Sequence, residues 1–182
     1  MSTLQRHTMA VLVDNEAGVL SQVSRLFSRK GFNIESLAVG PTDDPRVSRM
    51  TIEVLADQDM ATLLCNQLRK MIPVHSVSLL SDAAIRRELV LIKVAAANSE
   101  QRNEIIQIAG IFRASIIDVS HASLTLAIIG DDTKTDAIEN LLREFGILEL
   151  VRTGIVSLER GSTTINDNTK ERGEFDYGKN VL

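Results

Sequence analysis

The sequence predicts an α+β protein made of two tandem ferredoxin-like βαββαβ modules, and three observations carry that prediction. Between residues 7 and 80 the apolar pattern runs strand, helix, strand, strand, helix, strand. The same order returns between residues 89 and 158, as a repeat of pattern and not of residue identity. Finally, 44% apolar and 24% charged residues is the balance of a globular chain with a core of its own, and with only 3% aromatics and no Trp that core must rest on Val, Ile, Leu and Met. The modules are assigned to residues 1–82 and 83–161, meeting near residues 81–87, with residues 162–182 as a tail.

Residues 7–13 (HTMAVLV) form an apolar run of strand length bounded by a turn. That turn, Asp14-Asn15-Glu16-Ala17-Gly18, opens an amphipathic helix. Val19, Leu20, Val23, Leu26 and Phe27 share one face, Arg25, Arg29 and Lys30 lie elsewhere, and Gly31 closes it. A strand is expected from Phe32, with Phe32 and Ile34 on one face and Leu37 and Val39 on the other; the slip of phase at Glu35-Ser36 predicts a bulge or bend. A tight loop with prolines at both ends (Pro41-Thr42-Asp43-Asp44-Pro45) leads to a return strand. There Met50, Ile52 and Val54 alternate with Arg49, Thr51 and Glu53, the pattern of a half-exposed strand. Asp57 caps a second helix whose Met60, Leu63, Leu64, Leu68 and Met71 face the core, Pro73 ends it, and residues 74–80 supply the last strand.

Residues 89–97 (LVLIKVAAA) begin the second module, and Asn98-Ser99 starts a helix with Ile105, Ile108, Ala109 and Phe112 as its stripe. Ile116, Ile117 and Val119 form a strand, and residues 124–129 another after the turn at His121-Ala122. Thr133 or Asp136 caps a helix carrying Ile138, Leu141, Leu142 and Phe145, which stops at Gly146. Residues 147–158 are the last strand, kinked at Gly154. Beyond Gly161 the chain is polar, mixed in charge and aperiodic, so residues 162–182 are expected to be a disordered tail, with Phe175 and Tyr177 as the groups able to dock on a partner.

Composition excludes several functions. A net charge of −4 argues against nucleic acid or an anionic membrane as partner, since both require a basic face. Cys65 is the one cysteine, which rules out an intrachain disulfide or a Cys-based metal cluster; beside Leu64 and Leu68 it reads as a buried small hydrophobe. The start lacks a cleavable apolar region, and no apolar run approaches ~20 residues, so a soluble cytoplasmic protein is expected. His7, His75 and His121 are scattered without metal-ligand spacing, and Asp43-Asp44 and Asp131-Asp132 read as solvated turn and loop pairs, not acid/base pairs. There is no glycine-rich phosphate loop and no nucleophile elbow. RNA-recognition modules share the βαββαβ order but need stacking aromatics where this chain has Met9, Val11, Val13, Met50, Ile52 and Val54.

An open sheet of this kind leaves one face without helices and two edges unpaired, and a module of ~75 residues is marginally stable alone. Homodimerisation through sheet edges or helices answers both needs. At the first helix start, Gly18 allows close approach to the backbone, and the N–H groups of Val19 and Leu20 are donors for an anion such as a carboxylate. Asn15 and Asn33 add uncharged donors and acceptors suited to a zwitterion, and Val19, Leu20, Ile34 and Leu37 add an aliphatic wall. The plainer alternative is that Asn15 and Gly18 are turn residues and Asn33 satisfies local backbone.

Asp14-Asn15-Glu16-Ala17-Gly18-Val19-Leu20, followed by Arg29-Lys30-Gly31-Phe32-Asn33-Ile34-Glu35-Ser36-Leu37, resembles the small regulatory subunit of acetohydroxyacid synthase, also called acetolactate synthase. The match continues through Gly40-Pro41-Thr42-Asp43-Asp44-Pro45 and Ser48-Arg49-Met50-Thr51, and returns at residues 112–119 and 154–161. The resemblance implies an N-terminal ACT domain for effector binding and dimerisation, and a C-terminal ACT-like regulatory domain. It further implies a homodimer that binds the large catalytic subunit, raises its activity and confers feedback inhibition by valine or another branched-chain amino acid. Thiamine diphosphate, Mg²⁺ and FAD are then expected in the catalytic subunit and no cofactor in this chain, which is not an enzyme by itself. The effector would sit between Asn15, Gly18, Val19 and Leu20 of one copy and Asn33 and Ile34 of the other. The alternative is a stand-alone amino-acid-sensing ACT protein regulating another enzyme or transcription, although no helix-turn-helix or basic element to read DNA is present.

Overall fold

The structure, a computed structural model, describes residues 4–168. β1 (Gln5–Asp14), β2 (Ser36–Pro41), β3 (Val47–Ala56) and β4 (Val74–Leu79) form an antiparallel sheet in the order β2-β3-β1-β4. One face of this sheet packs on α1 (Val19–Arg29) and α2 (Gln58–Arg69): Met9, Val11 and Val13 from β1 and Met50, Ile52 and Val54 from β3 meet Val23, Phe27, Leu64 and Leu68. β5 (Ile85–Ala95), β6 (Ser115–Val119), β7 (Ser123–Gly130) and β8 (Ile147–Arg152) repeat the arrangement as β6-β7-β5-β8, with α3 (Ser99–Phe112), α4 (Asp132–Leu142) and a core of Val90, Ile92, Val94, Leu124, Leu126 and Ile128. The α+β class with two ferredoxin-like modules therefore holds.

The starts of α2, α3 and α4 are each set by a single side chain. Asp57 accepts from Met60 N–H at 2.8 Å and Asn98 from Gln101 N–H at 2.9 Å. The cap of α4 is Asp131, which accepts from Lys134 N–H at 3.0 Å, and not Thr133 or Asp136. Asp131-Asp132 is thus a helix start and not a solvated loop, while Thr135 turns inward to donate to Glu88 at 2.5 Å. On α2 the buried positions are Ala61, Leu64, Cys65 and Leu68; Met60 and Leu63 are exposed, because two small residues let the helix lie close to the sheet. Burial raises the pKa of the Cys65 thiol.

Three strands differ from expectation. β5 begins at Ile85 and not at Leu89, because its first residues pair with the end of the module's last strand. β2 begins at Ser36, not Phe32: the slip of phase at Glu35-Ser36 marks the point where an irregular connection, which includes Asn33 and Ile34, joins the ladder. β3 is not half-exposed, since Thr51 is 3% and Glu53 0% exposed. The second module covers their face, and its last strand is what reaches across. That strand breaks at Gly154 (φ +79°) into β8, paired with the middle of β5, and β9 (Val156–Leu158), paired with the start of β5.

At this break Ile155 N–H donates to Ser36 Oγ at 3.0 Å, and Arg49 donates to Ser157 O at 2.7 Å. Arg86 of β5 pairs with Glu53, whose Oε1 also accepts from Thr8 Oγ1 at 3.0 Å, while Arg6 lies 3.8 Å from its Oε2. The open face expected to need a second copy is therefore covered within the chain. A second buried charge, Glu88, is paired with Arg152 at 2.7 Å, which also reaches Asp136 and Glu139. Burial acts against the Arg152 charge, but the hydrogen bonds it donates to Glu139 and Asp136 and the charge of Glu88 outweigh it and raise its pKa.

The segment after Gly161 is not wholly without structure. Residues 165–168 form a 3-10 turn, and Ser76 Oγ donates to Ile165 O at 2.7 Å, which pins the turn against β4. The polar composition hid this contact because it runs through a backbone carbonyl. Phe175 and Tyr177 lie outside the described residues.

Substitutions at the module contact, with one glycine in α3 as a control, test this packing. Gly154→Ala should lower stability by about 1–3 kcal/mol, because its φ is positive and a Cβ would stand 2.9 Å from Ser36 Oγ and 3.1 Å from Leu37 O. Gly110→Ala, in open space within α3, should instead raise stability by about 0.5–1 kcal/mol; thermal melting distinguishes the two signs. Arg86→Met should strand the Glu53 carboxylate and cost about 3–5 kcal/mol in denaturant unfolding, with most of the loss recovered when Glu53→Leu is added.

Candidate functional site

The turn between β1 and α1 is built to leave a helix start open. Gly18 takes a left-handed conformation (φ 88°, ψ −13°) as the N-cap of α1, and no side chain caps the helix. Val19 N–H makes only a long 3.4 Å bond to Glu16 O, and the first turn of α1 carries no acidic residue. The positive end of the helix and the N–H groups beside it can therefore receive a carboxylate. Leu20 is 43% exposed beside this opening, while Val19 is buried and fixes the helix to the core.

The turn itself is held from both sides. Asn15 donates from Nδ2 to Pro45 O at 2.9 Å and its N–H donates to Arg46 O at 2.7 Å, so the turn is stitched to the proline loop. That loop is locked by Asp44, which accepts from Arg46 N, Nε and NH2 at 2.9, 3.0 and 2.8 Å. These hydrogen bonds, side chain first and then backbone, hold the Asp44 carboxyl down at about 2. On the other side Asp14 N–H donates to Pro73 O at 2.9 Å, and Asp14 Oδ1 lies 2.6 Å from His75 Nε2. Asn15 thus serves the turn with two donors, one from its side chain and one from its backbone. The Asp14–His75 pair had no sequence signal, because it depends on how β4 registers against β1 through a bulge at Leu12/Val13.

Asn33 and Ile34 sit at the far end of α1. Asn33 is exposed and donates to Glu35 Oε1 at 2.9 Å; Ile34 is half-buried against the core. α1 has 11 residues and so a length of about 16 Å; Gly18 stands at its start and Asn33 follows its end. Within one chain, then, Asn15, Gly18, Val19 and Leu20 are together and Asn33 and Ile34 are apart from them, farther than one amino acid can span. The margin between them is apolar and open: β2 is an edge strand, Val39 is 47% exposed, and α2 packs over β4 at the opposite edge.

Among the described residues no cluster of three or more His, Cys, Asp or Glu side chains is placed to hold a metal ion, and no helix is long and apolar enough to cross a membrane.

Comparison with known proteins gives the same picture in both modules. Residues 9–76 match the family described as the AHAS small subunit-like ACT domain, and residues 87–161 the family described as the small subunit of acetolactate synthase. The chain is 46% identical over 157 residues to the probable acetolactate synthase small subunit of Archaeoglobus fulgidus, covering 86% of this chain and 98% of that one. It is 46% identical over 162 residues to the acetolactate synthase small subunit of Haemophilus influenzae, covering 88% and 99%. The crystal structure of the acetolactate synthase small subunit from Thermotoga maritima superposes with a TM-score of 0.82 at 36% identity, covering 87% of this chain and 99% of that one. With both modules matched in order, and nearly the whole length of these relatives covered, the chain belongs to the acetolactate synthase small-subunit family.

Proposed function

We propose that this chain is the regulatory subunit of acetolactate synthase, working as a homodimer in the cytoplasm. It activates the thiamine-diphosphate-dependent catalytic subunit and makes it subject to feedback inhibition by valine or another branched-chain amino acid. Thiamine diphosphate, Mg²⁺ and FAD then belong to the catalytic subunit, and the condensation of 2-oxo acids takes place there.

One observation carries the effector reading: α1 begins at an uncapped left-handed glycine with no acid in its first turn, beside an exposed Leu20. The carboxylate of valine takes the open N–H groups at Gly18, Val19 and Leu20, and its isopropyl group lies against Leu20. The ammonium takes oxygen acceptors from Asn15 and, across the dimer, from Asn33 of the second copy, with Ile34 of that copy closing the aliphatic wall. The distance of about 16 Å between the two ends of α1 supports a site shared by two copies. Because each ligand touches both copies, its binding free energy differs between arrangements of the dimer. That difference is what a catalytic partner can sense.

Titrating valine, leucine and isoleucine against acetolactate formation by the mixed subunits tests the whole proposal. Asn33→Ala, which removes a hydrogen bond to a charged ligand at an exposed position, should raise the valine concentration for half-inhibition about tenfold or more. Activation of the catalytic subunit in the absence of valine should stay near the wild-type level. Unchanged inhibition would remove Asn33 from the site, and equal loss of activation and inhibition would assign it to folding.

A further inference from the structure

Between α1 and the loop after α2 lies a cleft of about 350 Å³ lined by Gln22, Arg25, Arg29, Lys70, Met71 and Ile72. Arg25, Arg29 and Lys70 are exposed, and their side chains make no hydrogen bond or ion pair among the described residues. Elsewhere Arg6, Arg46, Arg86, Arg143 and Arg152 each face a carboxylate. No acidic residue lines the cleft, although the chain as a whole carries a net charge of −4. At its rim Ile72 is 94% exposed, the barest large apolar side chain among the described residues.

Three unpaired cations beside a bare isoleucine fit an acidic protein segment that also brings an apolar side chain. A small anion would neutralise the cations and leave Ile72 in water. At about 100° per residue, Gln22, Arg25 and Arg29 lie on the flank of α1 opposite the one that carries Leu20 and Ser24. Covering Leu20 with a second copy therefore leaves the cleft open. Both walls are also joined to the effector turn: α1 starts at Gly18, and the loop is tied to Asp14 through the 2.9 Å bond to Pro73 O.

We propose that this cleft is where the chain grips an acidic, apolar-tipped segment of the catalytic subunit. The proposal rests on the regulatory-subunit reading above. It puts partner grip and effector turn on opposite sides of one helix, so that a shift of α1 under one ligand alters the fit of the other.

The test uses the full chain and the purified catalytic subunit. Arg25→Glu with Arg29→Glu, and separately Ile72→Asp, should each weaken association at least about tenfold. Valine binding and melting temperature of the regulatory chain alone should stay unchanged, and the wild-type association should weaken with added salt. Ile72→Cys labelled with a benzophenone maleimide should cross-link to an Asp- or Glu-rich stretch of the catalytic subunit, Cys65 being buried and out of reach of the reagent. Association of both variants within about twofold of wild type would overturn the proposal. So would a cross-link to a second copy or to this chain's residues 169–182. A wild-type chain that does not bind the catalytic subunit at all would overturn the function and the cleft together, whereas equal binding by wild type and variants would overturn the cleft alone.

Discussion

A four-stranded sheet with both helices on one side must hide its other face, and here the chain hides it with its own second half. β5 and β9 lie across the bare face of the first sheet, and everything distinctive about the middle of the protein follows from that cover. Glu53 is enclosed and needs Arg86 from the far module; Arg49 is drawn down to Ser157 O, and burial lowers its pKa. Gly154 keeps its left-handed turn because a side chain there would strike Ser36 and the Leu37 backbone. With the face occupied, what remains free on the first module is the β2 edge, the Leu20 flank of α1 and the loops at its two ends.

Element type and order were legible within the two modules, because they depend on local periodicity. The βαββαβ order was readable twice over, down to the break at Gly154. What was not legible depends on what an element meets later. Thr51 and Glu53 alternate with apolar residues as a half-exposed strand should, and only the second module turns their side inward. Asp131 looked like loop because two adjacent acids are a common solvated pair, yet the first of them caps α4. Ile165 carries no signal of its docking, since the contact is made by its carbonyl oxygen.

The candidate site divides in the same way. Gly18 and the first turn of α1 could be singled out from the chain because a glycine there brings no side chain to cap the helix or to keep a ligand from its backbone. That Asn15 is tied to Pro45 and Asp14 to His75 could not, because both links join residues brought together by strand pairing. The basic cleft was also missed: Arg25 and Arg29 read as the solvated side of an amphipathic helix, and only the fold sets Lys70 and Ile72 against them.

The two modules share a strand order but not a helix entrance. α1 begins at bare Gly18, whereas α3 begins under Asn98, whose side chain occupies the Gln101 N–H, with Glu100 adding negative charge in the first turn. An incoming carboxylate would find open N–H groups at the first entrance and a capped, acidic turn at the second. On the proposed function, effector stoichiometry is therefore capped at one molecule per polypeptide, and the duplicated half, freed from sensing, serves as a backing plate for the half that senses.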